Sequence, residues 1–195
     1  AVGNRFAAQG QAFLWTPSSP NGTTGSMITL GGLPGGLEQS SANAINTHGQ
    51  VVGVGVSDEF YDAAFLWTPT APNGSTGSMV SLGSLPGINH SRAEDINSQG
   101  QVVGFSEGFN EDSTEEIVRA FVWTPLTPNG SAGGLVDLHS LVTPASGAGW
   151  TLHFATGIND FGQIVGSGTF DPDGPGGIDP VSRGFLLTPV PEPSS

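Results

Sequence analysis

Short apolar runs rich in Val, Ile, Phe and Thr recur along the chain, and Gly, Pro and Asn separate them. Aligning "QAFLWTP", "AAFLWTP", "RAFVWTP" and "RGFLLTP" at residues 11, 63, 119 and 183 reveals an internal repeat of 52 to 64 residues. Each unit continues with a run such as "MITLGGL" and then with "A-x-x-I-N-x-x-G-Q-[VI]-V-G". Apolar runs of this length between turn residues are typical of β-strands. The pattern predicts an all-β fold with three internal repeats of about four antiparallel strands.

The repeat predicts one domain rather than several, because units of this size cannot bury an apolar face alone. We expect a single β-repeat domain over residues 1–189, with units at approximately 1–50, 51–101 and 102–163 and a partial unit at 164–189. Residues 190–195 form a Pro-rich tail. Both ends carry incomplete units. The units resemble propeller blades or a β-sheet repeat array, and three units are fewer than a closed propeller usually has.

The segment "I-N-x-x-G-Q" is predicted to be a hairpin turn. Its Asn side chain can accept a hydrogen bond from the backbone two residues on, and its Gly supplies the positive φ that a bulged turn needs. The Gly that follows "VV" or "IV" is expected where a neighbouring backbone approaches closely. The tryptophans at one position of the unit are expected to be packing anchors. These residues are Asn46, Asn97, Asn159, Gly49, Gly100, Gly162, Gly53, Gly104, Gly166, Trp15, Trp67 and Trp123.

These motifs resemble the HAF-repeat family of predicted extracellular bacterial proteins, whose unit pairs an "AF-x-W" strand with an "I-N-x-x-G-Q-[VI]-V-G" hairpin. The resemblance covers nearly the whole chain. The His that gives the family its name is replaced here by Gln11, Ala63, Arg119 and Arg183. The resemblance implies an exported protein with an all-β repeat fold, and it implies no particular chemistry.

The last six residues, "VPEPSS", resemble the opening of a PEP-CTERM sorting signal. The hydrophobic helix and basic cluster that follow in that signal are absent from the sequence. The resemblance implies export, transient anchoring and cleavage, followed by release at the bacterial cell surface or outside the cell.

Charge excludes some partners. The net charge is −13, and the chain has four Arg and no Lys, so nucleic acid and anionic membrane surfaces are not expected partners. No Cys is present, which excludes disulfides and Cys-ligated zinc. No run of about 18 apolar residues suggests a membrane span, so no membrane insertion is expected.

Catalytic motifs are lacking, and we expect no enzymatic activity. The four His residues have no metal-ligand spacing, and neither "G-x-S-x-G" nor "H-E-x-x-H" occurs. Acidic residues concentrate in the loops between the "VVG" and "AFLW" strands. In the third loop, Asp171, Asp173 and Asp179 are candidate ligands for calcium. The alternative is a solvated turn, and no other cofactor is expected.

Four asparagines begin "N-x-[ST]": Asn21, Asn73, Asn129 and Asn89. In the first three, Asn-Gly is also ordinary turn chemistry. On exposed loops of an exported protein, all four are candidate glycosylation sites.

The sequence leads to the hypothesis of a non-enzymatic extracellular structural protein that forms a cell-surface or matrix filament. The incomplete ends expose strand edges, which another copy could cover by strand addition. The candidate donor strand is Ala1, Val2, Gly3, Asn4, Arg5 and Phe6. The candidate open edge is Gly184, Phe185, Leu186, Leu187 and Thr188.

Two alternatives remain. The N-terminal strand could pair beside Gly184–Thr188 in the same chain. The protein could also be a secreted, propeller-like module that binds carbohydrate, including extracellular polysaccharide, or another ligand.

Overall fold

The fold is given by a computed structural model, which describes residues 2–4 (backbone), 10–109, 115–174, 177 and 179–190. These residues form fourteen β-strands in four antiparallel sheets, so the prediction of an all-β chain is confirmed. Neither of the two short helices in this part of the chain has the length and apolar character needed to cross a bilayer.

The strands of each sheet follow one another along the chain. Sheet 1 contains β1 (Val2–Asn4), β2 (Ala12–Pro17) and β3 (Gly25–Gly31). Sheet 2 contains β4 (Leu37–Ile45), β5 (Val51–Val56), β6 (Asp62–Pro69) and β7 (Gly77–Gly83). Sheet 3 contains β8 (His90–Ile96), β9 (Val102–Phe109), β10 (Glu116–Pro125) and β11 (Gly133–Asp137). A 3₁₀ helix (Leu138–Leu141) and helix α1 (Pro144–Gly147) follow. Sheet 4 contains β12 (Trp150–Ile158), β13 (Ile164–Phe170) and β14 (Val181–Leu187).

The sheets are offset by one strand from the units counted in the sequence. The predicted boundaries near residues 50 and 101 coincide with tight turns between β4 and β5 and between β8 and β9. The breaks between sheets fall instead after β3, β7 and β11. Because "I-N-x-x-G-Q" forms a hairpin, the strand before it belongs to the same sheet as the strand after it.

The hairpin chemistry agrees with the prediction. The side-chain Oδ1 of Asn46 accepts hydrogen bonds from the backbone N–H of His48 and of Gln50, both at 3.0 Å. Gly49 has a φ of 81°, which favours glycine. A Cβ on Gly53 would overlap the carbonyl oxygen of Ser41 on β4. The turn and the close approach of β4 to β5 therefore follow from residues that every copy repeats.

Each sheet has two different faces, which we call forward and rear. The register pairs Val52 with Leu66 on the forward face of sheet 2, and Gly53 with Phe65 on its rear face. Corresponding forward pairs in sheets 3 and 4 are Val103 with Val122 and Val165 with Leu186. Corresponding rear-face aromatic residues are Phe13, Trp15, Trp67, Phe121, Trp123 and Phe185.

The forward face of each sheet packs on the rear face of the next sheet. Leu14 of sheet 1 lies in one apolar cluster with Phe65 and Trp67 of sheet 2. The forward pair of sheet 2 lies in a second cluster with Phe121 and Trp123. The forward pair of sheet 3 lies in a third cluster with Ile164, and Phe185 packs against it. None of these three clusters joins sheet 1 to sheet 4, so the described sheets form a stack in chain order.

Buried serines fix how neighbouring sheets meet. Ser91 Oγ on β8 accepts a hydrogen bond from Ala64 N–H at 2.9 Å and donates one to Gly83 O at 2.7 Å. Ser40 Oγ on β4 likewise accepts a hydrogen bond from Ala12 N–H and donates one to Gly31 O. Both preceding sheets have a register shift at the bonded alanine. The first strand of one sheet therefore satisfies backbone groups that the irregular ladder of the previous sheet leaves unpaired.

Candidate functional site: the two end faces of the sheet stack

The forward face of sheet 4 is exposed, although its residue pattern is that of a buried face. Val165 and Leu186 are 46% and 61% exposed. The corresponding Val52 and Leu66 in sheet 2 are both fully buried. In sheet 3 the corresponding pair is also buried. Sheet 4 therefore ends the stack with an apolar surface that has no following sheet among the described residues.

The rear face of sheet 1 is the other exposed end. Met27 is 43% exposed, whereas Met79 at the same register position of sheet 2 is 6% exposed. Phe13 and Trp15 are partly exposed, whereas Phe65 is fully buried. The two end faces of the chain are therefore the two different halves of the interface that the stack repeats internally.

The hairpin turns form a row of asparagine hydrogen bonds along one side of the stack. Asn46 Nδ2 donates to the backbone carbonyl of Asn97 at 3.1 Å. Asn97 Nδ2 donates in turn to the backbone carbonyl of Asn159 at 3.2 Å. These bonds link sheets 2, 3 and 4 in a single direction, which gives the stack a polarity.

The Asn-Gly loops pack against these turns. Asn73, between β6 and β7, donates its backbone N–H to His48 O at 2.9 Å and its side-chain amide to Thr47 O at 3.1 Å. Asn129, between β10 and β11, makes the corresponding bonds to Gln99 O at 2.9 Å and Ser98 O at 3.0 Å. Each inner sheet is therefore closed on this side by a clasp between its Asn-Gly loop and its own hairpin turn.

Two carboxyl groups near the sheet junctions have shifted pKa values. Burial raises the pKa of Glu94 on β8, and the nearby Arg92 guanidinium opposes this effect in part. The backbone N–H of Ser98 donates to Asp160 Oδ1 at 2.8 Å and lowers the pKa of that exposed carboxyl group. The Asp160 bond joins the turns of sheets 3 and 4 and adds to the asparagine row.

The candidate donor strand is not free. Val2, Gly3 and Asn4 form β1 and pair antiparallel with Leu14, Phe13 and Ala12 of β2. Val2–Asn4 and β14 belong to separate sheets, so the predicted pairing of this strand beside Gly184–Thr188 in the same chain is wrong for Val2–Asn4. β1 pairs with β2 on one edge, and its other edge has no strand beside it among the described residues. In the inner sheets, the first strand lies at this position. Ala1, Arg5 and Phe6 lie outside the described residues.

The candidate open edge at the other end is present in the structure. Residues 184–187 belong to β14, which pairs with β13 on one side and has no strand on the other side within the described chain. Thr188 follows β14 and accepts a hydrogen bond from Gln163 Nε2 at 3.4 Å. A cavity of about 280 Å³ lies beside this edge, between β14 and the two short helices.

The three candidate calcium ligands do not form a cluster. Asp171 Oδ1 accepts a hydrogen bond from Gly174 N–H at 2.9 Å, as in a local turn. Asp179 is exposed. Within the described ranges, no three acidic or histidine side chains lie close enough together to hold a metal ion. Calcium binding at Asp171, Asp173 and Asp179 stays a prediction.

The four candidate glycosylation sites have different surroundings. Asn21, Asn73 and Asn129 each have a φ of 58°, which confirms their role in tight turns. The side-chain amides of Asn73 and Asn129 donate to backbone carbonyls, whereas Asn21 and Asn89 are exposed on loops. Glycosylation stays a prediction for all four.

Comparisons with protein-family models, curated proteins and solved structures found no match to this chain. The resemblances to HAF repeats and to a PEP-CTERM signal therefore rest on the quoted motifs alone.

The sequence did not indicate that whole sheet faces, rather than strand edges alone, are exposed at the ends. Val165 and Leu186 align with positions that are apolar in every copy, so nothing in the repeat distinguishes an exposed end face from a covered one.

Proposed function

We propose that this protein is a non-enzymatic structural subunit that joins other copies of itself head to tail through the two end faces of its sheet stack. The observation that carries the proposal is the exposed forward pair of sheet 4. Val165 and Leu186 occupy the register positions that are buried in sheets 2 and 3. A second copy presents the matching rear face on its sheet 1, with Phe13, Trp15 and Met27.

Burial of these side chains supplies the driving force. Covering a Val, Leu or Met side chain contributes about 1.5–3 kcal/mol relative to leaving it in water. The two faces differ, so the contact is heterologous and produces a closed ring or an open filament according to its rotation. We favour the filament because the internal stack already repeats the same contact in one direction.

The free edges of β1 and β14 lie on the two end sheets but on opposite sides of the stack. Among the described residues, β1 lacks a neighbour where the inner sheets have their first strand, and β14 lacks one where they have their fourth. Face packing therefore does not bring these two edges together, and edge complementation between copies requires a separate contact.

The proposed location is the bacterial cell surface or extracellular matrix, after export. This location is supported by the repeat motif and by the "VPEPSS" tail. Detection of the protein in the cell-free fraction of a native culture tests it, and retention in the cytoplasm would contradict it.

A ligand-binding module is the second candidate function, and the cavity beside β14 favours it. Trp150, Phe185 and His139 line this cavity of about 280 Å³, and aromatic faces are suited to stacking on sugars. Calorimetric titration with extracellular polysaccharide fragments tests it. A heat of binding that Trp150→Ala removes would support the module, and no heat with the unaltered protein would reject it.

Two charge substitutions test the assembly. Met27→Glu damages the rear face of sheet 1, and Leu186→Glu damages the forward face of sheet 4. Because both side chains are exposed in the single chain, the substitutions leave the fold intact. Each is expected to weaken assembly about 10- to 100-fold, which corresponds to the lost burial of one side chain. The readout is sedimentation velocity.

Mixing the two variants gives the decisive result. The intact forward face of the Met27→Glu chain and the intact rear face of the Leu186→Glu chain can still meet, so equal amounts should form dimers and nothing longer. Leu126→Glu is the matched control, because Leu126 is 81% exposed in a loop away from both end faces. A mixture that stays monomeric while the unaltered protein assembles would show that these faces are not the contact.

A further inference from the structure

The end sheets carry two unmatched halves of the loop-turn clasp. Sheet 1 contains the Asn21–Gly22 loop, but it has no first strand and no hairpin turn among the described residues. Sheet 4 contains the Asn159–Gln163 turn, but no strand or Asn-Gly loop follows β14 in the described chain. In sheets 2 and 3, the Asn-Gly loop donates hydrogen bonds to the hairpin turn of its own sheet.

The Asn-Gly loop also contacts the turn of the sheet that precedes it in the stack. Asn46 Nδ2 in the turn of sheet 2 donates to Asn129 Oδ1 in the loop of sheet 3 at 3.2 Å. Gln50 Nε2 from the same turn donates to Asn129 O at 3.0 Å. His48 Nε2 lies 3.4 Å from Asn129 Nδ2. The loop of one sheet is therefore held by the turn of the sheet before it.

The structure assigns a polar docking site to the Asn159–Gln163 turn. We propose that it receives the Asn21–Gly22 loop of a second copy of this chain, which fixes the register of the junction. This inference rests on the proposed head-to-tail assembly. In the stack, the sheet that follows sheet 4 would be sheet 1 of the next copy, so Asn21 would occupy the place that Asn129 has relative to sheet 2.

Both partners already have the conformation that the internal contact uses. In the turn, Asn159 Nδ2 donates to Gln163 Oε1 at 2.8 Å, as Asn46 does to Gln50 at 2.9 Å. In the loop, Gly22 N–H donates to Ser19 O at 2.8 Å, as Gly130 N–H does to Thr127 O at 2.8 Å. Docking therefore requires little reordering of either backbone, which favours binding.

The aromatic side chain in the turn supports the same contact. Phe161 occupies the position of His48, and it is 85% exposed. A loop docked as Asn129 docks on sheet 2 would cover Phe161. A sugar on Asn21 would block the contact, so modification at this sequon would prevent growth from the sheet 1 end.

Cysteine cross-linking tests the docking site, since the chain contains no Cys. The variant Asn21→Cys/Phe161→Cys should form disulfide-linked ladders on non-reducing gels, whereas either single variant should give no species above a dimer. The matched control His48→Cys/Asn129→Cys places the pair within one chain, where His48 Nε2 and Asn129 Nδ2 lie 3.4 Å apart. Because cysteine is shorter than histidine, a short bismaleimide is applied to both double variants alongside oxidation, and it should link the control inside the monomer.

The outcomes separate this inference from the proposed function. If the control closes and the unaltered protein assembles, the absence of a ladder overturns the docking site and leaves the head-to-tail assembly standing. A disulfide inside a monomeric Asn21→Cys/Phe161→Cys chain overturns both, because the two ends then meet in one molecule. Failure of the unaltered protein to assemble also overturns both.

A second variant removes the side-chain acceptor and keeps the turn. Asn21→Gly retains access to positive φ and should raise the dissociation constant of the head-to-tail contact about three- to tenfold, as expected for lost hydrogen bonds, with no change in melting temperature. An unchanged dissociation constant would overturn the docking site. Asn73→Gly, in the clasp inside sheet 2, should instead lower the melting temperature.

Discussion

Sheet 3 and sheet 4 carry the same alternation of residues but differ in what covers them. Val103 is fully buried between sheets 3 and 4, whereas Val165 at the same register position is 46% exposed. Their rear faces are alike, because each packs on the sheet before it. The difference shows that the repeat encodes a sheet with two covered faces, and that position in the stack decides whether both faces are covered.

Sheet 1 and sheet 2 show the same difference at the other end. The rear face of sheet 2 lies in the core shared with sheet 1, and Phe65 and Trp67 are 0% and 3% exposed. Phe13 and Trp15 hold the same positions in sheet 1 and are partly exposed. Equal side chains should therefore contribute unequally to the stability of the single chain.

The largest expected effect comes from truncating an aromatic residue of the inner stack. Phe65→Ala should reduce the free energy of unfolding by about 3–5 kcal/mol, the usual loss for a buried Phe. Phe13→Ala should reduce it by clearly less, because the side chain is partly in water already. Urea denaturation of both variants at concentrations where the unaltered chain is monomeric measures the difference, and equal losses would contradict the distinction between inner and end faces.

The buried serines give the next effect. Ser91→Ala removes the acceptor for Ala64 N–H and leaves a buried donor unsatisfied, which should cost about 1–3 kcal/mol of unfolding free energy. Ser78→Ala is the control, because Ser78 is exposed on β7 and should change stability by less than about 0.5 kcal/mol. A loss no larger than that of the control would show that the hydrogen bonds of Ser91 between sheets 2 and 3 are dispensable for stability.

The smallest expected effect concerns pH. Because burial raises the pKa of Glu94 in the folded chain, its ionised form destabilises the fold at neutral pH. This penalty disappears as the pH falls through the folded pKa. Glu94→Gln should therefore raise the melting temperature slightly at pH 7 and give no gain near pH 3. A gain that is equal at both pH values would contradict the assigned cause.

The repeat predicted the all-β class, the hairpin turns at Asn46 and Gly49, and the close approach at Gly53, because each depends on local residue chemistry. The grouping of strands into sheets was offset by one strand. A repeat length does not show at which strand a unit begins, and the sequence does not mark where hydrogen bonding between strands stops. The exposed end faces could not be predicted for a related reason. Nothing local to Val165 or Leu186 distinguishes them from their buried counterparts.

Sedimentation velocity of the unaltered chain over a range of concentrations tests the central claim most directly. The account predicts species that lengthen continuously with concentration and that appear only at about 10- to 100-fold higher concentration when Leu186→Glu replaces the unaltered protein. A single monomeric species at every concentration, with the same sedimentation coefficient for both proteins, would contradict it.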